Sequence, residues 1–345
     1  MPLRLRPSAN AFYLGPAEEP TAFVVIDGGE RHTYGPLSSA DRRAVDHLVR
    51  GETPPKESEI IAWLIENGLA ENGAVDERGL PIEWPVRWSR QLSAYALYEG
   101  VTDPLAIHEQ VTDAHALVVG LGGIGCHAVQ QLAAIGVNEF TLVDPDRVER
   151  HNLNRQILYR HDDVGELKVN VAARTVRHRA APDDEVSITA VDADFFDWEP
   201  KTAAAFDVAF VTADERSAGI RRRTSRLLYP AAVPYGFAAY SGQQATLGPL
   251  VFRTDRGCGT CGLQQIPVED GLTSVTGPGT HVTPPSSAAR NGLLGATLVD
   301  RWLRSLASPD EPHTLVFDME SLSAERRDHV ALTSCPVCGG ETDAV

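Results

Sequence analysis

A short apolar run, Ala116–Val119, breaks into Gly120-Leu121-Gly122-Gly123-Ile124-Gly125 and then resumes with helical spacing to about Ile135. No other stretch restricts the fold so tightly. Four glycines in six residues leave one sensible path: a tight turn off a strand, a helix that starts at once, and bare backbone on the side where a ligand must approach. The helix N-terminus then presents free N–H groups and a partial positive charge, which suit an anion. A second apolar strand, Phe140–Val143, ends in Asp144, about 20 residues beyond the glycines, where a carboxylate can take ribose hydroxyls. The stretch predicts a nucleotide-binding βαβ unit.

Glycines and one acid fit an NAD-dependent oxidoreductase as well as an ATP user, and the residues after Asp144 separate the two. The segment from Asp144 through Asp146, Asn152, Asn154, Arg155 and Gln156 is too polar for a returning core helix, and it brings a guanidinium and amides back over the nucleotide. A dehydrogenase has no use for that cluster. Lys168 follows in Gly165-Glu166-Leu167-Lys168; with Lys56 and Lys201 it is one of only three lysines, against 31 Lys and Arg together. A compact ammonium is well suited to a polyphosphate. The α/β rhythm then continues through a helix over 170–178, a strand over 186–191 and a strand Val208–Val211 that ends in Thr212-Ala213-Asp214. Carboxylates at the C-terminal ends of parallel strands lie over the ligand crevice, so Asp214 is placed to hold Mg²⁺ on phosphates.

Five cysteines complete the chemical inventory. Cys258-Gly-Thr-Cys261 and Cys335-Pro-Val-Cys338 are two CxxC knuckles, the donor set of a closed structural Zn²⁺ site with no open catalytic position. The fifth, Cys126, falls in the first turn of the nucleotide helix and reads as a small buried residue. Taken together, GLGGIG, the DPD of 144–146, the NLNRQ of 152–156, GxxK and Asp214 resemble the adenylating domain of the ubiquitin-activating-enzyme-like (ThiF/MoeB/HesA) family from about Arg87 to the C-terminus. Bacterial members include enzymes that activate sulfur-carrier proteins and the microcin C nucleotidylating enzyme. The resemblance implies a Rossmann-like α/β fold, ATP as substrate, and contacts from Gly120, Gly122, Gly123, Gly125, Asp144, Asp146, Asn152, Arg155, Gln156, Lys168 and Asp214. It also implies a homodimer in which Arg90, of Arg87-Trp-Ser-Arg90-Gln91, reaches the partner's site, although a plain surface arginine is the alternative. Two departures stand out. Glu215 replaces the family's Asn after the acid, and the loop over 268–291, where many relatives carry a thioester-forming cysteine, has none; its His281 and serines are ordinary loop residues.

The first 72 residues read as a separate α+β module: a hairpin from Phe23–Ile26 and Arg31–Tyr34 across Asp27-Gly28-Gly29, then helices from Ser38 and from beyond Pro55. This winged-helix-like outline resembles the leader-peptide recognition domains of peptide-modifying enzymes; a dimerisation or stability appendage is the bland alternative. Residues 73–86 read as a linker and 87–345 as the adenylating domain. The net charge of −16 argues against nucleic acid or anionic membrane as partner. With no spanning apolar run and no signal peptide, the expected location is the cytoplasm. The expected activity is adenylation of the C-terminal carboxylate of a ribosomally made peptide, in the making of a modified peptide product. The alternatives are activation of a small ubiquitin-like sulfur-carrier protein and a leader-binding scaffold without catalysis.

Overall fold

A computed structural model describes residues 3–16, 19–27, 29–55, 58–75, 81–180, 184–213, 219–241, 244–265, 287–321 and 323–339. The chain divides into two compact units, Met1–His108 and Glu109–Val345. Asp214, Glu215, Gly28, His281 and most of the 268–291 loop lie outside the described residues.

In the first unit, strands β1 (Leu3–Leu5), β2 (Ala9–Leu14), β3 (Ala22–Asp27) and β4 (Glu30–Tyr34) are followed by helices α1 (Ser39–Val49) and α2 (Glu59–Glu66), strand β5 (Ala70–Asn72) and helix α3 (Ser89–Tyr95). The expected hairpin is β3–β4, and β2 extends it to a three-stranded antiparallel sheet; β1 and β5 form a second, two-stranded one. Alternation turns Phe23 and Val25 inward, onto an apolar stripe of Val45 and Leu48 from α1 and Ile60 and Leu64 from α2. Helix α1 starts where Ser38 and Asp41 cap each other: the Asp41 N–H donates to Ser38 Oγ and the Ser38 N–H to the Asp41 carboxylate. Arg4, 7% exposed, pairs with Glu71 and Glu83 at 2.8 Å each, which fastens the segment after β5 to β1. Helix α4 (Pro104–Asp113) carries the division between the units.

The second unit runs β6 (His115–Val119), α5 (Gly123–Ile135), β7 (Glu139–Val143), α6 (Lys168–Arg179), β8 (Ser187–Val191), β9 (Val208–Val211), α7 (Gly219–Leu228), β10 (Tyr235–Ser241), β11 (Gln244–Val251), α8 (Gly259–Gln265), α9 (Ala288–Ala307), β12 (His313–Asp318) and β13 (Ser323–Asp328). Its sheet has the order β13-β12-β11-β10-β9-β6-β7-β8. The five strands from β10 to β8 are parallel, and β11 to β13 continue antiparallel. The central strands are apolar on both faces because both are covered. On one side Phe210 meets Trp302 of α9, ring centroids 5.8 Å apart; on the other Leu117, Val119 and Val211 pack with Ile220 and Leu228 of α7. This is the Rossmann-like α/β architecture the sequence implied. Strand order reverses between β6 and β9, and a ligand crevice opens at such a point, beyond the C-terminal ends of the strands.

One boundary differs with consequence. The Gly/Pro/Ser/Thr-rich composition extends the loop to Asn291, but α9 begins at Ala288, with Ser287 accepting the Arg290 N–H as its cap. Asn291 therefore stands in the first helical turn and is fully buried. Local composition cannot show that a polar residue will be buried against a distant glycine.

Candidate nucleotide-binding site

The turn after β6 is shaped by its glycines in two different ways. Gly120 adopts φ +87°, and a Cβ there would lie 2.5 Å from the Ala213 backbone nitrogen at the end of β9. A Cβ on Gly125 would lie 2.0 Å from the Gly120 carbonyl oxygen and 2.7 Å from Thr212 Oγ1, so these two glycines let strand, turn and helix close on one another. Gly122, the residue before α5, has nothing within 4 Å of its Cβ position. The first two serve packing, and Gly122 faces open space at a helix N-terminus, where an anion is favoured.

Asp144, at the end of β7, holds this turn in place. Its Oδ2 accepts the Leu121 N–H at 2.6 Å and its Oδ1 the Asp146 N–H at 2.8 Å. Burial raises the Asp144 carboxyl above its ordinary pKa, and the neighbouring Lys168 and the two N–H groups pull it back. Lys168 is the first residue of α6 and only 4% exposed; its Nζ lies 2.8 Å from Asp146 Oδ2 and 3.9 Å from Asp144 Oδ1. Asp146 is half exposed. A buried ammonium with one solvent-facing partner is a charge that an incoming phosphate can engage by displacing that partner.

The polar segment after Asp146 returns to the glycine turn through Tyr159. Asn152 is buried and its Oδ1 accepts the Glu149 N–H at 2.9 Å, so it shapes the loop. Arg155 turns its guanidinium onto its own loop, donating to the His151 carbonyl and, at 3.1 Å, to Asn154 Oδ1. Gln156 is 5% exposed, and its Oε1 has no hydrogen-bond partner among the described residues. Buried acceptors are rarely left so, and this one marks a place for a donor such as a nucleotide hydroxyl or amine. Tyr159 ties the segment to the glycine turn, its hydroxyl donating to the Leu121 carbonyl at 2.7 Å. Cys126 Sγ donates to the same carbonyl at 3.4 Å; it is fully buried, with its thiol pushed up to about 12 by burial, and is no nucleophile.

Lys168, Asp144, Asp146 and the glycine turn are thus brought together. Arg90 is exposed on α3 of the first unit. Residues that composition alone did not mark are Tyr159, Thr212 and Asn291. Their signal lay only in how β9, α9 and the loop before α6 reach the turn.

The two knuckles meet although 77 residues separate each facing pair. Cys258 and Cys335 lie 3.6 Å apart, Cys261 and Cys338 3.2 Å, and the four sulfurs fall within 4.8 Å of one another. Tetrahedral Zn–S bonds of about 2.3 Å place sulfurs about 3.8 Å apart, so the cluster fits zinc. Burial opposes ionisation of Cys335, yet the N–H groups of Cys338 and Val337 and the facing thiols hold it below the ordinary thiol range. A thiolate is the form a metal takes.

The family follows from comparison. Residues 89–337 match the ThiF family. The chain belongs to this family. It is an adenylyltransferase, and adenylyl transfer implies ATP as its nucleotide substrate. The molybdopterin-synthase adenylyltransferase of Salmonella typhimurium is 30% identical over 67% of this chain and 89% of its own length. The SAMP-activating enzyme E1 of Haloferax volcanii is 28% identical over 68% of this chain and 84% of its own. Among solved structures, E. coli MccB with MccA-N7isoASN superposes with a TM-score of 0.74 over 99% of this chain and all of that one, at 23% identity, a likeness of fold. A hydride-transfer reading of the glycine turn is thereby set aside. No described helix is long and apolar enough to cross a membrane.

Proposed function

We propose that this ThiF-family enzyme activates the C-terminal carboxylate of a ribosomally made peptide as an acyl-adenylate, in the modification of a peptide natural product. The observation that carries the choice of peptide is the first unit. Its three-stranded sheet has β2 on the β3 side of the hairpin, and no described strand pairs with the outer edge of β4. An extended peptide can add there through main-chain hydrogen bonds. Residues 1–72 would be the recognition domain and 87–345 the adenylating domain, joined by a linker over 73–86. The likeness of fold to MccB, which extends over both units, supports the assignment.

The chemistry asks little of side-chain bases. A carboxylate is already nucleophilic at neutral pH; one of its oxygens forms a bond to the α-phosphorus of ATP, and the α–β bridging P–O bond breaks with pyrophosphate as leaving group. No proton need move. Catalysis is placement and neutralisation of charge. Lys168, released from Asp146, and Arg155, released from its own loop, meet the phosphates; the helix start at Gly122 and Gly123 offers N–H groups, with Gly120 and Gly125 letting the turn close behind it; Asp144, Asp146, Asn152 and Gln156 hold the ribose and its surroundings. Mg²⁺ on Asp214 would supply further neutralisation when bound. Arg90 from the partner of a homodimer would complete the site. Since residues 268–291 contain no cysteine, the adenylate passes to an outside nucleophile or to an amide nitrogen of the peptide.

A second reading, activation of a small ubiquitin-like sulfur carrier, is favoured by the relatives with 30% and 28% identity. ATP–pyrophosphate exchange, run with short peptides and with carrier proteins ending in Gly-Gly, separates the two. Exchange with carriers alone would overturn the peptide reading. Lys168→Ala should lower the exchange rate on the order of 100-fold; near-full activity would remove Lys168 from the phosphate site.

A further inference from the structure

Asn291 is completely buried in the first turn of α9, a position where an apolar residue would pack at no cost in desolvation. Its carboxamide lies directly over the start of the nucleotide helix: a Cβ on Gly123 would come within 2.1 Å of Asn291 Nδ2. The same nitrogen donates to the Arg155 carbonyl at 3.4 Å. Asn291 itself is firmly seated. Its N–H donates to the Ser287 carbonyl at 3.0 Å, and α9 approaches α5 closely, with a Cβ on Gly295 only 2.9 Å from the Ile124 carbonyl oxygen.

We infer that Asn291 is a positioning residue for the Arg155–Gln156 segment, setting the height of that segment above the glycine turn so that guanidinium and carboxamide meet the nucleotide together. The inference rests on the proposed role of Arg155 as a nucleotide contact. The bond is long, so its contribution to stability is small; its effect is geometric, joining a helix start on one side of the crevice to a polar loop on the other. Packing alone does not require the amide, since leucine, though bulkier, has the same branched outline.

The test is a double-mutant cycle on Mg·ATP affinity, by calorimetry, in the full-length protein. Asn291→Leu should weaken Mg·ATP binding in the wild-type background and have a smaller effect when Arg155 is already alanine, since only the Gln156 contact is then left to position, a coupling of at least about threefold. Amide hydrogen exchange over 152–159 should speed up in Asn291→Leu while the melting temperature changes little. Additive effects of Asn291→Leu and Arg155→Ala, or unchanged binding and exchange, would overturn the inference. Should Asn291→Leu fail to fold, Asn291→Ala removes the amide without adding bulk and serves in the same cycle. If the unmutated protein does not bind Mg·ATP, it is the nucleotide reading that fails, and this result is distinct from additivity.

Discussion

Two glycines three residues apart separate packing from ligand contact, and alanine at each should give opposite results. At Gly125 the new methyl would sit 2.0 Å from the Gly120 carbonyl oxygen and 2.7 Å from Thr212 Oγ1, both held by the end of the sheet. Carbon–oxygen contacts settle at about 3.3 Å or more, so strand end and helix start must part by about 1 Å. Overpacking of this kind costs about 1–3 kcal/mol, which in a unit of this size lowers the melting temperature by about 3–10 °C. At Gly122 the methyl meets nothing within 4 Å, and φ is −74°, open to any residue. Gly122→Ala should therefore melt with the unmutated protein or gain up to about 1 kcal/mol. Yet the same methyl occupies the space in front of the helix N-terminus, and Mg·ATP affinity should fall by about tenfold or more, about 1.4 kcal/mol. Scanning calorimetry gives stability and isothermal titration gives affinity. Should Gly122→Ala bind Mg·ATP as tightly as the unmutated protein, phosphate does not lie on the open side of the turn; unchanged melting of Gly125→Ala would refute the closure argument.

Two further outcomes are expected. Purified protein should carry one zinc per chain by metal analysis, and Cys335→Ser should lose both the metal and thermal stability, because a structural site contributes its binding free energy to folding; zinc-free protein indifferent to chelators would refute the site. His329 is 6% exposed with Nε2 against Thr314 Oγ1 at 2.7 Å, and burial holds its pKa down to about 4. The unfolded imidazole protonates near pH 6.5, so stability is complete above that pH and falls as pH drops toward the folded value, by up to about 3 kcal/mol. Melting curves between pH 7 and pH 4 should lose this component in His329→Gln; an unchanged pH slope would show that another group carries it.

Much of the site could be read from the residues because its parts are local or chemically singular. The glycine turn, the acid at the end of the next strand, the rare lysine at 168 and the paired knuckles each announce themselves within a few residues, and family resemblance ordered them. The roles of individual glycines could not be read that way. Gly122 and Gly125 are alike in sequence, and only the path of β9 past the turn makes one a packing requirement and the other an opening. Arg155 and Lys168 were legible as cations, but not that each is held by a neighbour, since the ion pair with Asp146 and the bond to His151 depend on how the loop folds back.

What the amino-acid sequence determined alone was the nucleotide-binding βαβ unit and the four-thiol donor set. Strand and helix periodicity, turn chemistry and CxxC spacing are short-range properties of a chain. Only the tertiary structure decided that Thr212 closes the turn, that 77 residues separate thiols in contact, and that Asn291 leaves its apparent loop to become a buried strut. Those are contacts between segments far apart in sequence, and they exist because burying both faces of the sheet leaves α9 no other place to lie than against the start of α5.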